Sequence, residues 1–369
     1  MAEIKRIAVL HPLMGFAGGA ENLIYWTSEE LSRRGIEVTV FTRLLPKETP
    51  PWLKMEFAEM DLRVWKWPRV AGFLAEKLVS FDAVMFHNFP TSVYWYLAKR
   101  YARRKQFVLP PALYYCHEPC RPWYGKSLQE YRRVRWKRFW RLDLPAMNNI
   151  RLDKKGVAEA AGLAANSKRS ADYAAQIYGK KFEVIYPGLP PALVKDFSVK
   201  PERDRFVYLS RLHWVKNVRG AIRAYKLFLE AHPESKADLH ILGEGSEEVP
   251  ARALVEELGI VSRVHFAGFV SDEEAARQFS QAIAVLNVAF EEPFGLVTLE
   301  CWARSTPLIL SREAGSAEIT HSGENVLLVD PASPGSIAEA MGRLYKDPAF
   351  RDDLARRGWE NLKKGFLIQ

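Results

Sequence analysis

Short apolar runs alternate with amphipathic helical stretches through almost the whole chain, and the series starts afresh near residue 205. In the first half RIAVLHP leads into the loop LMGFAGGA and a helix-patterned ENLIYWTSEELSRRG that should stop at Gly35. EVTVFT, DAVMFHN and ALYYCHE read as further buried strands. The second series opens at RFVYLSRL and continues through NVRGAIRAYKLFLEAHP, DLHILGEGS, RVHFAGFV, DEEAARQFSQA, IAVLNVAF, PLILS and NVLLVD. Strands of this kind, separated by helices, belong in parallel sheets covered on both faces. The expectation is two doubly wound α/β units joined near 187–204, and 369 residues is long for one core. Ligands of such folds lie outside the carboxyl ends of the strands, so the cleft between the lobes is the expected site.

Charge narrows the partners. The net charge is +9, which suits phosphates, nucleic acid or anionic headgroups. The excess is densest in 131–144, YRRVRWKRFWRLDL, where six basic residues stand among four aromatic ones. On a helix that pattern reads equally as a membrane-surface element or as a core-facing aromatic stripe with a solvated basic face. No apolar run approaches bilayer length, the N-terminus reads as a first strand, and three cysteines form no even framework. A cytoplasmic protein is expected, with peripheral membrane attachment through 131–144 left open.

Three loops carry candidate chemistry. The first, HPLMGFAGGAE, is glycine-rich before a helix, which suits close approach of a phosphate or a mere tight turn. Its glycines miss the G-x-G-x-x-G spacing, and EVTVFT ends without an acidic residue, so a nicotinamide enzyme is disfavoured. The second, LSRLHWVKN, sets Arg211 and Lys216 at a strand end, where a diphosphate would lie; a solvated basic loop is the plain alternative.

The third, EEPFGLVTLE, holds Glu292 and Glu300 with seven residues between them, around a turn and the start of a helix. Acidic residues in a first helical turn can simply complement the macrodipole. They can also accept from hydroxyls: a carboxylate at Glu300 matches the two donors of a ribose diol, Glu292 could hold a second sugar, and the N–H groups of Phe294, Gly295 and Leu296 face the ligand. Cys116, His117 and Cys120 lack a fourth ligand for a metal, so none is expected.

Together these residues resemble the retaining glycosyltransferases of family 4, which have the GT-B fold: two Rossmann-like doubly wound domains facing each other across a cleft. The E-x7-E signature stands as EEPFGLVTLE, R-x4-K as RLHWVK, the glycine loop as GGAE, and a further segment as ANSKRSADYAAQIYGKKFEVIYPG. The resemblance implies an acceptor-side domain over 1–190, a nucleotide-sugar domain over 200–350, and a C-terminal helix over 351–369 that makes a short crossover toward the first domain. It further implies that Arg211 and Lys216 bind the donor diphosphate, Glu300 the ribose and Glu292 the transferred sugar, while Gly18 and Gly19 contact a phosphate or shape the acceptor side. YYCHEPCRPWYG is similar to a mannosyltransferase segment whose histidine touches the donor sugar, which corresponds to His117.

The expected reaction moves a sugar, best guess mannose from GDP-mannose, to a glycan or lipid-linked acceptor with retention and without metal or other cofactor. A sugar-nucleotide epimerase of the same fold, or a non-catalytic basic protein binding membrane or nucleic acid, are the alternatives; nucleic acid is not the expected partner. The chain departs from the family pattern at Trp302 and Ser305 in CWARSTP, at Ala314 in AGSAE, and at Val326 in GENVLLV.

Overall fold

The computed structural model describes residues 3–15, 18–58, 67–124, 143–198 and 203–368. All but the last two residues of the basic aromatic segment 131–144 lie outside the described residues. The chain divides into two compact units, Met1–Tyr186 and Pro187–Gln369. Among the described residues, no helix is long and apolar enough to cross a membrane.

The first unit carries, in chain order, β1 (Arg6–Leu10), α1 (Gly19–Arg33), β2 (Glu37–Thr42), β3 (Lys54–Phe57), α2 (Trp67–Leu78), β4 (Ala83–His87), α3 (Thr91–Lys105), β5 (Ala112–Cys116), α4 (Arg121–Tyr124), α5 (Asp143–Ala158), β6 (Gly162–Ala165), α6 (Lys168–Tyr178) and β7 (Glu183–Val184). Its sheet is parallel, in the order β3-β2-β1-β4-β5-β6-β7. Strand order reverses beside β1, which pairs Leu10 with Phe41 of β2 on one side and with Phe86 of β4 on the other. Such a switch point opens a crevice at the carboxyl ends of the two strands. Under the sheet the Phe86 ring lies 5.0 Å from Tyr114 and 5.8 Å from Trp95, all three fully buried.

A buried carboxylate ties four helices of this unit together. Asp153 on α5 accepts from the hydroxyls of Ser92 on α3, Tyr124 on α4 (2.7 Å) and Tyr178 on α6 (3.0 Å). Burial pushes its pKa up, and those three hydroxyls, which favour the charged form, oppose the shift.

The second unit carries β8 (Arg205–Leu209), α7 (Val218–Ala231), β9 (Asp238–Leu242), α8 (Glu248–Glu257), β10 (Val264–Gly268), α9 (Asp272–Ser280), β11 (Ala282–Asn287), α10 (Val297–Ala303), β12 (Leu308–Ser311), β13 (Leu327–Val329), α11 (Pro334–Lys346) and α12 (Pro348–Gly365). The sheet is again parallel, ordered β10-β9-β8-β11-β12-β13, so the switch point lies between β8 and β11. Helix α7 buries Val218, Ala221, Ile222, Tyr225 and Phe228, the stripe a 3.6-residue period places on one face.

Helix α12 begins at Pro348 with the Asp347 side chain accepting from the Phe350 N–H, and it packs on α10 and α11 within this unit. After it the chain pairs with its own unit's opening: Leu189 N–H donates to Phe366 O and Ile368 N–H to Leu189 O, each at 2.9 Å. The departures from the family pattern find places here. Trp302 is fully buried against Gly358 of α12, where a Cβ would collide with its ring, and its Nε1 donates to Asn325 O at 3.2 Å. Val326 is buried, with its carbonyl accepting from Gly323 N–H at 2.8 Å. Ser305 is buried with φ at 54°, the conformation glycine adopts freely.

Candidate active site

Glycines let the loops at the switch point of the second unit close on one another. Past β8, Leu212 is fully buried; its N–H donates to Glu244 O at 2.8 Å and its carbonyl accepts from Glu247 N–H at 2.9 Å. The neighbouring loop comes this near because Gly243 (φ 120°) and Gly245 (φ 156°) lack side chains: a Cβ on either would strike the carbonyl of Ser210 or Leu212. Trp214–Lys216 then make one 3-10 turn, ended by Asn217 at φ 61°. The Asn217 amide donates to Val288 O at 3.1 Å and to Pro331 O at 2.8 Å, so the loop is anchored to the far side of the switch point.

The second acidic loop is clamped to the first. Phe290 N–H donates to Val215 O at 2.7 Å, and the Tyr208 hydroxyl to Lys216 O at 2.8 Å. The chain bends at Glu291 (φ 47°) and Gly295 (φ 95°), where a Cβ would stand 2.9 Å from Asn287 Nδ2. Gly315 N–H donates to Glu292 O and Ser316 N–H to Phe294 O, both at 2.9 Å, which supports the bend from the AGSAE side. Thr298 and Ser316 hydroxyls meet at 2.8 Å beneath it. The first internal bond of the turn runs from Thr298 N–H to Gly295 O, so the amides of Gly295, Leu296 and Val297 have no backbone acceptor among the described residues.

The four charged candidates behave differently. Lys216 Nζ sits 2.5 Å from Glu292 Oε2, both side chains mostly shielded from solvent. Arg211, on the same loop, is exposed, and its guanidinium has no hydrogen-bond or ion-pair partner among the described residues. Glu300, in the first turn of α10, is half-buried, and its carboxylate likewise has no partner among them. Desolvation raises the Glu300 pKa, with Arg304 pulling the other way and Asp272 adding to the rise. An unpaired, desolvated carboxylate is costly unless a ligand supplies donors. Phe294 is buried.

In the first unit, histidines stand at three strand ends. His11 follows β1, His87 closes β4, and His117 follows β5. His11 Nε2 lies 2.9 Å from Glu21 Oε1, and His87 Nδ1 lies 3.0 Å from His117 Nε2. The His117 backbone is held at both ends: its N–H donates to Asn88 Oδ1 at 3.1 Å and its carbonyl accepts from the Ser170 hydroxyl at 3.2 Å. Burial, and then the His11 charge, push the His117 pKa down to about 3; His87 falls well below the ordinary range for the same reason. Both rings are therefore neutral at physiological pH. Gly18 precedes α1 in an extended conformation, and a side chain there would strike the Glu21 carboxylate; Gly19 opens the helix.

Of the residues singled out from the sequence, Lys216 and Glu292 meet directly, and Phe294, Gly295, Leu296 and Glu300 form one continuous turn beside them. Arg211 shares the loop of Lys216, and its guanidinium forms no hydrogen bond or ion pair with any of them. Gly18, Gly19 and His117 belong to the first unit. His11, Glu21 and His87 escaped the sequence reading, although each histidine stands at the carboxyl end of a predicted strand, where ligands bind in these folds. Cys116 is buried and Cys120 half-buried, and among the described residues no group of three or more His, Cys, Asp or Glu is arranged to hold a metal ion.

Comparison with known proteins covers both units. The family model "Glycosyltransferase Family 4" matches residues 17–193, and "Glycosyl transferases group 1" matches residues 192–360. A D-inositol 3-phosphate glycosyltransferase of Acidothermus cellulolyticus is 26% identical over 96% of this chain and 86% of its own. Several other curated relatives align over about half of their own length. Among solved structures, Anabaena HepE in complex with UDP and glucose superposes with a TM-score of 0.74 at 16% identity, covering 98% of this chain and 96% of that one. Sucrose-phosphate synthase from Thermosynechococcus elongatus gives a TM-score of 0.76 at 19% identity, covering 98% and 95%. These likenesses establish the GT-B fold.

Proposed function

The chain belongs to the group 1, family 4 glycosyltransferases, and from that premise we propose that it transfers a hexose, with retention, from a nucleoside diphosphate sugar to a glycan or lipid-linked acceptor. One observation carries the reading: Glu300 is a half-buried carboxylate without a partner among the described residues, one turn from the Lys216–Glu292 pair. A ribose diol offers the two donors that such a group lacks. Arg211 and the amides of Gly295 and Leu296 then take the diphosphate, with Lys216 sharing its charge as the anomeric bond breaks. Preorganised donors aimed at a leaving group are each worth roughly 3–4 kcal/mol. In this reading the cationic side chains do the work a divalent metal does elsewhere.

Glu292 is assigned to the transferred sugar, and His117 to a hydroxyl of that sugar. Gly18 and Gly19 are assigned to a phosphate or to the acceptor side. GDP-mannose is the donor of first choice; UDP-glucose is the competitor, because UDP and glucose occupy the HepE structure. The segment 131–144 is assigned to an anionic membrane surface, where each basic residue adds about 1 kcal/mol. Unchanged sedimentation with anionic vesicles, after Arg132, Arg133, Arg135 and Arg138 are replaced by Gln, would reject that assignment.

The deciding experiment is a thermal-shift screen of GDP- and UDP-sugars against the parent and Arg211→Ala. A donor at 100 times its dissociation constant adds about 2.7 kcal/mol to stability. Stabilisation of the parent that Arg211→Ala loses is the expected result. Equal stabilisation of both proteins, or none by any sugar nucleotide, would overturn the donor site.

A further inference from the structure

We propose that His87 is a positioning residue that holds His117 with its proton on Nδ1, so that His117 meets a sugar hydroxyl as a hydrogen-bond donor. The sugar half of this inference rests on the reading of His117 given above; the histidine pair itself does not.

The geometry selects between two arrangements. One ring nitrogen of the pair must donate and the other accept, since His87 Nδ1 and His117 Nε2 are 3.0 Å apart and both rings are buried and uncharged. Their planes lie within 24° of each other with centroids 5.1 Å apart, so an N–H of one ring can run along the plane to the lone pair of the other. If His117 donated, His87 would carry its one ring proton on Nε2, an atom that is buried and without a partner among the described residues. If His87 donates, Nε2 is a bare lone pair. A buried orphan N–H is the rarer and costlier of the two.

With the proton of His87 on Nδ1, its sealed Nε2 needs no acceptor. His117 then accepts at Nε2 and carries its own proton on Nδ1, which is not among the sealed, unpartnered atoms of the described residues, in a residue that keeps 9% of its surface. The bonds to Asn88 and Ser170 hold the main chain of His117, and the contact with His87 sets its ring. As a neutral donor His117 cannot act as a base; it can orient and polarise a hydroxyl.

Imidazole nitrogen-15 NMR of the full chain, with the His117 signals assigned by their loss in His117→Gln, reads the tautomer directly. The parent should show Nδ1 protonated and Nε2 bare; the reverse pattern overturns the proposal without any further variant. His87→Leu fills the space but removes the donor, and should return His117 to a mixture of tautomers. His87→Asn restores an N–H near the Nδ1 position, and with it the parent pattern. A folded His87→Leu whose His117 spectrum is unchanged also overturns the proposal.

The kinetic arm follows GDP release from GDP-mannose and UDP release from UDP-glucose, on whichever the parent turns over faster. His87→Leu should lower kcat about tenfold with little change in KM, the signature of lost orientation. His87→Asn should recover most of that loss, which a merely space-filling role would not produce. Parent-like turnover by His117→Ala would overturn the sugar contact while the spectra still judged the histidine pair.

Discussion

The Glu292 carboxylate holds the Lys216 ammonium at 2.5 Å, while the Glu300 carboxylate, at the other end of the same turn, has no hydrogen bond or ion pair among the described residues. Two acids that look equivalent in the sequence are thus in opposite electrostatic conditions. The first is already compensated, by the lysine on which the proposed diphosphate would also draw. The second waits for donors.

Glu292→Gln should therefore tighten binding of free GDP or UDP. The substitution keeps the shape but releases Lys216 from its counter-charge, and a gain of up to about 1.4 kcal/mol is tenfold in affinity. Turnover of the full donor should fall at the same time, since the carboxylate assigned to the sugar is gone. Titration calorimetry with the nucleotide, beside steady-state rates, checks both halves. Weaker nucleotide binding by Glu292→Gln would contradict the competition between Glu292 and diphosphate for Lys216.

Glu300→Gln should do the reverse. Loss of an accepting oxygen facing a ribose hydroxyl should cost roughly 1.5–3 kcal/mol of nucleotide affinity, the range for bonds to charged groups. The unliganded variant should be more stable than the parent at neutral pH. The sign follows from the raised pKa: the folded state prefers the protonated acid, so its contribution is present below the unfolded pKa and lost as pH rises through the folded one. Urea melts should show parent and variant converging in acid and separating toward neutrality. Nucleotide affinity of the parent should decline on acidification sooner than an ordinary glutamate would allow. A pure helix-dipole role for this residue predicts a small loss of stability instead.

Ser305→Gly should stabilise the second unit by about 1 kcal/mol, since a side chain at φ 54° carries a left-handed penalty of roughly 1–2 kcal/mol that glycine's chain entropy only partly offsets. The Ser305 hydroxyl is buried without a partner among the described residues, so nothing is forfeited with it. A shift in urea midpoint at constant slope is the readout.

Gly358→Ala should destabilise by about 1–3 kcal/mol, the usual cost of overpacking, because the added methyl falls on the Trp302 ring. Trp302→Leu in the same chain should recover part of that loss. Additive effects in the double mutant would mean that the two residues do not share the space.

Much of this architecture was legible because its signals are local. Alternating apolar runs announced both parallel sheets, and the restart at RFVYLSRL announced a second one. The RLHWVK and EEPFGLVTLE loops could be read because charge and glycine at a strand end have few other uses in these folds. The histidine pair could not. His87 and His117 lie 30 positions apart, and their meeting depends on β4 lying next to β5 in the sheet order. Nor did the sequence reveal that Lys216 would turn toward Glu292, 76 positions away, or that Ser305 adopts a glycine conformation. Trp302 appeared as a departure near the site; its partner is a glycine on the last helix, which no local pattern connects to it.

The bridge between Leu189 and Leu367 has a consequence for the second unit as an object. The backbone enters and leaves it through hydrogen-bonded neighbours, so 189–367 is a ring in all but covalent terms. Its two ends are held side by side by native contacts, so much of the loop-closure entropy of a short junction between them is already met by the fold. The second unit is thereby suited to circular permutation: opened at an exposed loop and closed by a short linker across the bridge, it should keep every strand of its sheet in place.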